Sequence, residues 1–207
     1  MSLAENRIYL ASRSPRRFEL LKQIGVNFDA LSLREAPPRQ ADVDETRLPG
    51  EAATDYVCRV ARAKADVGRI RVAQRRWPDR PILAADTAVV LEERVFGKPQ
   101  NSGHAKEMLA VLSGRSHQVL TAVALATQSG TRVRTSASTV RFRDISAREI
   151  DSYLGGDEAY DKAGGYAIQG MAAIFIPEIS GSYSGVMGLP LFETAQLLEE
   201  SGMVIFP

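Results

Sequence analysis

Apolar residues along this chain occur in short runs and in helical spacings, and the two patterns follow each other in mixed order. Runs at residues 8–11 and 26–31 predict two strands, and the long apolar run at residues 82–91 is typical of a central strand buried on both faces. Residues 118–126 and 132–143 flank a short polar turn, which predicts a hairpin of two long strands.

Helical spacing of apolar residues fills much of the remaining chain. Ser14 and Pro15 are typical of the cap and first position of a helix, and Gly25 is placed to end it. Residues 171–176 are strand-like, and residues 180–185 are typical of a turn. Because strands and helices do not alternate strictly, the pattern predicts an α/β fold with a mixed, twisted sheet and flanking helices, in one domain or two joined lobes. Helices are predicted at residues 15–24, 51–77, 105–112, 146–154 and 189–200.

The composition is that of an ordinary folded protein. The chain has 207 residues, of which 44% are hydrophobic and 25% charged, and this is enough apolar material for a core. A formal net charge of +1 gives no basic footprint for nucleic acid or for an anionic membrane surface. Cys58 is the single cysteine, interpreted as a small core residue, so no internal disulfide can form. The lack of a signal pattern and of a long apolar span predicts a cytoplasmic protein.

The turn between the first strand and the first helix concentrates polar side chains. Ser12 and Ser14 lie where a helix N-terminus presents free N–H groups and the positive end of its dipole, so the turn predicts a seat for an anion. Arg16 and Arg17 lie in the first helical turn, where cations cost stability unless an anion lies nearby. The alternative is that two surface arginines flank a capped helix.

Three charged residues occupy positions that ask for an explanation. Asp86 lies in the middle of the central apolar run, where an ionised carboxylate is costly unless it is paired, hydrogen-bonded or bound to a metal. That cost favours a functional role over a structural one. Lys64 continues the apolar face of the second predicted helix, where it either extends outward along its stem or faces an anion in a cleft. Lys98 is fixed between a glycine and a proline, whereas His104 and His117 lack the spacing of metal ligands.

Taken in chain order, a set of short motifs resembles the Maf family of nucleotide pyrophosphatases. The resemblance implies a single Maf-like domain over residues 1–207, with an elongated, two-lobed fold like that of inosine triphosphate pyrophosphatases and a central cleft. It also implies hydrolysis of a nucleoside triphosphate to the monophosphate and pyrophosphate with a divalent cation, by a homodimer in the cytoplasm. Each motif alone is weak, but the ordered set is highly specific. The motifs lie at residues 12–17, 43–45, 59–65, 85–87, 97–99, 112–114, 161–164, 168–170 and 188–191.

Within that family, the branch that acts on dTTP and UTP resembles this chain most. As in that branch, Arg16 and Arg17 directly follow the proline of the turn. Thr87 follows the strand aspartate, and Gln169 lies in the late loop. The sibling branch, which acts on 7-methyl-GTP, has a tryptophan after the proline and an acidic residue in place of the glutamine. A carboxamide both donates and accepts, as the edge of uracil or thymine requires, whereas a carboxylate suits the two adjacent donors of guanine.

The resemblance further implies a role for each candidate residue. Asp86 would accept the proton of the attacking water, and Glu45 together with Asp86 would hold Mg²⁺ or Mn²⁺. Glu35 is a nearby rival of Glu45, because the loop at residues 33–42 is longer than is usual in the family. Cationic side chains would offset the charge of the triphosphate. Substrate contacts are implied for Ser12, Ser14, Arg16, Arg17, Lys64, Thr87, Lys98 and Gln169, of which Arg17, Thr87 and Gln169 would set the base preference.

Other functions remain open from the sequence. The same chemistry could act on 7-methyl-GTP or on a non-standard nucleotide. A nucleotide-binding regulator of septum formation and cell division, whose hydrolysis is incidental, is an alternative of another class. A nucleotidyltransferase also places an arginine-bearing turn after its first strand, but the glycine-rich form of that turn is missing here.

Overall fold

A computed structural model describes residues 7–34 and 41–205 of the chain. Strands and helices follow each other in mixed order, as the apolar pattern predicts. Two short 3₁₀ helices, Ala163–Gly165 and Met171–Phe175, lie late in the chain. The strands are β1 (Arg7–Leu10), β2 (Asn27–Ala30), β3 (Ile82–Leu91), β4 (Arg94–Phe96), β5 (Ser116–Thr127), β6 (Gly130–Arg141) and β7 (Glu178–Ser180). The helices are α1 (Pro15–Gln23), α2 (Ala53–Gln74), α3 (Ser102–Leu112), α4 (Ala147–Leu154), α5 (Tyr183–Met187) and α6 (Leu191–Glu200).

Across the described ranges, seven strands form one mixed sheet in the order β2-β1-β3-β5-β6-β7, with β4 also paired to β3. β1 runs parallel to both β2 and β3, and Tyr9 stands opposite Ile82 in the register with β3. β4 is antiparallel to β3, and β7 is antiparallel to β6. The mixed α/β class predicted from the sequence is therefore confirmed. Within the same ranges, none of the helices combines the length and the apolarity that crossing a membrane requires.

The chain divides into two compact units that are not contiguous in sequence. The first unit holds the described residues up to Asp86, residues 121–135 and the residues from Gly188 onward. The second unit holds residues 87–120 and 136–187. Each unit buries its own set of apolar side chains.

In the first unit, α2 packs closely against β3. Gly68 of α2 allows this approach, because a Cβ there would lie 2.7 Å from Cγ2 of Ile82. The tight packing places Lys64 of α2 beside Asp86 of β3, which fixes the centre of the candidate site. The buried residues of α2 recur at helical spacing and are Val57, Val60, Ala61, Ala65, Gly68 and Val72.

In the second unit, aromatic rings build the core. The ring of Phe142 meets the rings of Tyr166 and Phe175 edge-on, at centroid distances of 4.9 and 6.4 Å. α4 begins with a capping box, in which Ser146 and Glu149 each bond the backbone N–H of the other. That reciprocal cap explains why the sequence signal for this helix is strong.

Three expectations about secondary structure and burial are wrong. Residues 171–176, predicted as a strand, contain the 3₁₀ helix Met171–Phe175. The Glu158 carboxylate accepts hydrogen bonds from the backbone N–H groups of the first two residues of this helix, at 2.8 and 3.2 Å, and so supplies a cap from outside the segment. The predicted turn at residues 180–185 contains the start of α5. Cys58, interpreted as a core residue, is only half-buried.

Candidate active site

The turn between β1 and α1 is organised by the hydroxyl of Ser12. Ser14 is the N-cap residue and Pro15 the first helical residue, as predicted. The Ser14 hydroxyl, however, makes no capping bond. Instead, the backbone N–H of Ser14 donates to Oγ of Ser12 at 3.1 Å. The hydroxyl of Ser12 therefore closes the turn. The capping hydrogen bond expected from the Ser14 hydroxyl is not formed, and that prediction is wrong.

Arg17 ties this turn to a distant part of the chain. Its Nε donates to the backbone oxygen of Gly188 at 2.7 Å, and its Nη1 donates to Oγ of Ser12 at 3.5 Å. Burial lowers the pKa of Arg17 and the charge of Arg16 adds to this, while the carboxylates of Asp86 and Glu45 oppose it. Arginine in the first turn of a helix is therefore offset by acidic side chains of the same unit.

Lys64 lies between two carboxylates at the centre of this cluster. Its Nζ donates to Oδ1 of Asp86 at 2.8 Å and lies 3.0 Å from Oε1 of Glu45. The Lys64 side chain is 15% exposed, so it neither extends freely outward nor lacks a partner. Glu45 is nearly half exposed, with 48% of its side chain accessible, whereas Asp86 is buried.

The Asp86 carboxyl is buried, and its surroundings change its pKa. Burial raises the pKa of Asp86, and the neighbouring Glu45 carboxylate adds to the increase. The charges of Lys64 and Arg17 act in the opposite direction but do not cancel the effect of burial. The ionised Asp86 therefore binds a proton more tightly than a carboxylate in water does, and a general base needs this property.

Two side chains of α2 hold the loop that carries Glu45. The sequence analysis assigned neither of them a role. Tyr56 Oη donates to the backbone oxygen of Glu45 at 3.0 Å. Arg59 contacts the same loop on both sides of Glu45. The spacing of Tyr56, Arg59 and Lys64 along one helix was visible in the sequence, but the path of the loop they contact was not.

The other predicted substrate contacts belong to the second unit. Thr87, the first residue of that unit, is half-buried, and Lys98 and Gln169 are exposed. Within the unit, the segment before Lys98 and the loop before Gln169 are joined, since the N–H of Gly164 donates to the oxygen of Gly97 at 3.0 Å. The first unit brings together Ser12, Arg17, Glu45, Lys64 and Asp86, with Ser14 and Arg16 in the same turn.

The carboxylates of Glu45 and Asp86 fit a divalent cation that is shared with a substrate. Mg²⁺ is commonly held by one or two carboxylates, with phosphate oxygens and water completing the shell. In the described ranges no group of three or more His, Cys, Asp or Glu side chains could hold a metal ion, so these two carboxylates would supply only part of the shell. Glu35, the rival of Glu45, lies outside the described residues.

The sequence matches one protein family along nearly its whole length. A family model described as Maf-like protein matches residues 7–201. The chain is 66% identical over 206 residues to the dTTP/UTP pyrophosphatase of Nitrosospira multiformis, covering 100% of both chains. It is 61% identical over 203 residues to the protein of the same name from Nitrosomonas europaea, covering 98% of both. Among solved structures, the Staphylococcus aureus Ham1 protein matches with a TM-score of 0.46 and 16% identity, over 67% of this chain and 72% of that chain.

Proposed function

This chain belongs to the Maf-like protein family, and from that premise we propose that it hydrolyses dTTP and UTP to the nucleoside monophosphate and pyrophosphate. Relatives that share 66%, 61% and 55% of their residues with it are named dTTP/UTP pyrophosphatase. CTP and modified pyrimidine nucleotides are further substrates that the same chemistry admits.

The observation that carries this proposal is the buried Asp86 carboxylate, which lies within hydrogen-bond distance of Lys64 and faces the charge of Arg17. We propose that Asp86 takes the proton of a water molecule as its oxygen bonds to the α-phosphorus. The bond from that phosphorus to the bridging oxygen breaks, and pyrophosphate leaves. A carboxyl whose pKa is raised by burial is a stronger base than a carboxylate in water, and Lys64 fixes its orientation.

Positive side chains supply the binding of the triphosphate in this proposal. Arg17 and Lys64 are fixed by contacts of their own, and Arg16 lies in the same helical turn as Arg17. Ser12, Ser14 and the backbone of their turn would seat phosphate oxygens at the N-terminus of α1. Glu45 and Asp86 would hold Mg²⁺ or Mn²⁺, which polarises a phosphoryl oxygen when bound.

Base selection is proposed for Arg17, Thr87 and Gln169, with Lys98 as a further cation. Gln169 is exposed, so its carboxamide is accessible to a ligand. A carboxamide both donates and accepts, and this matches the alternating donor and acceptor groups of a pyrimidine edge.

A panel of nucleoside triphosphates tests the proposal, with pyrophosphate and monophosphate both quantified. We expect kcat/KM for dTTP and UTP to exceed that for 7-methyl-GTP by about 10-fold or more. The Gln169→Glu variant should lose much of that preference, because a carboxylate cannot donate. Preference of the unaltered protein for 7-methyl-GTP would reject the pyrimidine assignment. Binding of dTTP and UTP with no pyrophosphate released would instead favour a nucleotide-binding regulator.

Family membership also leads us to propose a homodimer that acts in the cytoplasm. Analytical ultracentrifugation of the purified protein tests the first statement, and a single monomer species at micromolar concentration would reject it. Cell fractionation tests the second statement.

A further inference from the structure

Three consecutive peptide oxygens, those of residues 44–46, accept hydrogen bonds from two side chains of α2. Arg59 Nη1 donates to the oxygen of Asp44 at 3.3 Å, and its Nη2 donates to the oxygen of Thr46 at 2.9 Å. Tyr56 Oη donates to the oxygen between them, that of Glu45, at 3.0 Å. Helix α2 therefore holds the backbone of the loop on both sides of Glu45 and at Glu45 itself.

The guanidinium of Arg59 also binds Glu51, at the end of this loop. Arg59 Nε and Nη2 donate to the two carboxylate oxygens of Glu51, at 2.6 and 2.9 Å. Glu51 in turn accepts a hydrogen bond from the N–H of Leu48 at 3.0 Å. A planar guanidinium can satisfy several acceptors in a fixed geometry, which a lysine ammonium cannot reproduce. Arg59 thus closes the segment 44–51 onto one point of α2.

This arrangement matters because Glu45 lies in a loop with no regular secondary structure. Its side chain is nearly half exposed, so burial does not fix it. What fixes it is the backbone beneath it and the ammonium of Lys64, 3.0 Å from its Oε1. Tyr56, Arg59 and Lys64 all project from α2, so a single rigid helix sets both the backbone and the carboxylate of Glu45.

An ordinary stabilising role explains these contacts less well. The Arg59–Glu51 ion pair is partly buried, with 9% of the Glu51 side chain accessible, and it accounts for two of the hydrogen bonds of Arg59. Its other two hydrogen bonds go to exposed peptide oxygens on either side of Glu45, and a role in pairing Glu51 does not account for them.

We propose that Arg59 is a positioning residue for Glu45, which it holds where that carboxylate can share a divalent cation with Asp86. This inference rests on the proposed function, since it assigns Arg59 a place in the metal and triphosphate site. Arg59 does not itself contact the reacting atoms. It acts through the loop, in the way that outer partners of metal ligands orient those ligands.

The test compares Arg59→Met with Arg62→Met, a matched control on the same helix. Arg62 Nη1 donates to the backbone oxygen of Thr131 at 2.7 Å, away from the Glu45 loop. We expect Arg59→Met to raise the Mn²⁺ concentration needed for half-maximal dTTP hydrolysis by about 10- to 100-fold. At saturating Mn²⁺ the turnover should largely return, and Arg62→Met should leave both quantities unchanged.

Two readouts do not depend on turnover. Free Mn²⁺, followed by electron paramagnetic resonance with a non-hydrolysable dTTP analogue, should show the same weakening of binding in Arg59→Met. Hydrogen exchange of residues 42–51 should accelerate in Arg59→Met and not in Arg62→Met. If the unaltered protein fails to hydrolyse any pyrimidine triphosphate, the proposed function fails, while hydrogen exchange and Mn²⁺ binding still decide the role of Arg59.

A double variant separates positioning from general stabilisation. If Arg59 acts through Glu45, then adding Arg59→Met to Glu45→Gln should cause no further loss of Mn²⁺ affinity or activity. Additive losses would overturn the proposal, as would equal Mn²⁺ dependence in Arg59→Met and Arg62→Met. Should Arg59→Met fold poorly, Arg59→Lys keeps the charge and loses the planar fork, and a normal Mn²⁺ dependence in that variant would also overturn it.

Discussion

Burial makes the Asp86 carboxylate a stronger base, and the same burial makes its ionised form costly in free energy. It is the buried carboxylate of β3, and burial raises its pKa against the attraction of Lys64 and Arg17. A carboxyl with a raised folded pKa binds its proton more tightly in the folded than in the unfolded state. Its contribution to stability is therefore full at low pH and is lost as the pH rises through the raised value. Above that value the ionised side chain costs stability, and this cost accompanies its greater basicity.

The Asp86→Asn variant tests both the role of this carboxylate as the base and the cost of its charge to stability. It removes the charge and keeps an oxygen that can accept from Lys64. We expect turnover of dTTP to fall by about two orders of magnitude or more, because the base is lost. The melting temperature at neutral pH should not fall and should rise if the cost of the charge dominates. Steady-state kinetics and thermal denaturation measure the two effects.

The exposed Asp66 of α2 provides a control for that variant. Asp66→Asn should leave turnover unchanged, since this carboxylate accepts a hydrogen bond from Thr131, on the side of α2 away from the Glu45 loop. A folded Asp86→Asn protein with nearly normal turnover would contradict the assignment of the base.

At the residue scale, the sequence reveals charged side chains at apolar positions, where their burial costs free energy. Asp86 inside an apolar run and Lys64 on an apolar helix face are visible in this way, and the structure pairs them. The contacts of Arg59 are not visible in the sequence, because its acceptors in residues 44–51 come together only through the path of that loop. The acceptor of Arg17 Nε is the oxygen of Gly188, 171 positions along the chain, and no local pattern predicts such a contact.

At the scale of elements, the 3₁₀ helix Met171–Phe175 depends on the loop before it. Glu158 accepts from the backbone N–H groups of Met171 and Ala172 and from Oη of Tyr153. Gly170 leaves room for this carboxylate, because a Cβ at Gly170 would lie 2.1 Å from Oε2 of Glu158. The residue before Gly170 is Gln169, so the same packing fixes the backbone of the proposed base-reading residue.

The Gly170→Ala variant should therefore affect both stability and selectivity. The added methyl must displace the Glu158 carboxylate, which forfeits hydrogen bonds to two backbone N–H groups. We expect a loss of about 1–3 kcal/mol in the free energy of unfolding, measured by urea titration. The ratio of kcat/KM for dTTP to that for 7-methyl-GTP should also fall. Gly103→Ala in α3 is the control, since its Cβ would meet its nearest neighbour at 3.4 Å; equal effects of the two substitutions would contradict this account.

Elements with local signals are predicted well, and elements capped from a distance are not. The cap of α4 lies within four consecutive residues, and the turn before α1 carries its own proline, so both helices are visible in the sequence. Residues 171–176 read as a strand because they are apolar. They form a 3₁₀ helix because Glu158, thirteen residues before Met171, supplies the acceptor for its first N–H groups.

At the scale of the whole molecule, the boundaries between the two units could not be predicted from composition. β3 and β5 contribute residues to both units, and their apolar patterns continue across the boundaries at residues 86 and 121 without a polar or glycine-rich linker. Linker composition marks a boundary only when the chain crosses it once through an exposed segment. Here strands cross it, so the sequence predicts the class of the fold but not the positions of these boundaries.

Stability of the whole molecule should depend on pH through His117 of the second unit. Burial lowers the pKa of His117 to about 4. Its Nε2 lies 2.7 Å from Oη of Tyr166, its ring packs edge-on against Phe142, and its Nδ1 has no hydrogen-bond partner among the described residues. An imidazole with a lowered folded pKa takes up a proton in the unfolded chain first, so folding stability decreases as the pH falls from about 6.5 towards 4.

The His117→Gln variant isolates this effect, because glutamine keeps a polar group near Tyr166 and does not titrate. Between about pH 7 and pH 5, the unaltered protein should lose about 2 kcal/mol more free energy of unfolding than the variant does. Comparing the two cancels the contribution of Asp86, whose raised pKa acts with the opposite sign. Glu51 and Glu149 have their pKa lowered to about 2 by Arg59 and Arg143, so their stabilisation is lost only below the ordinary carboxyl range. Urea titrations followed by circular dichroism at both pH values measure the difference, and parallel losses in the two proteins would show that His117 is protonated as readily in the folded as in the unfolded state.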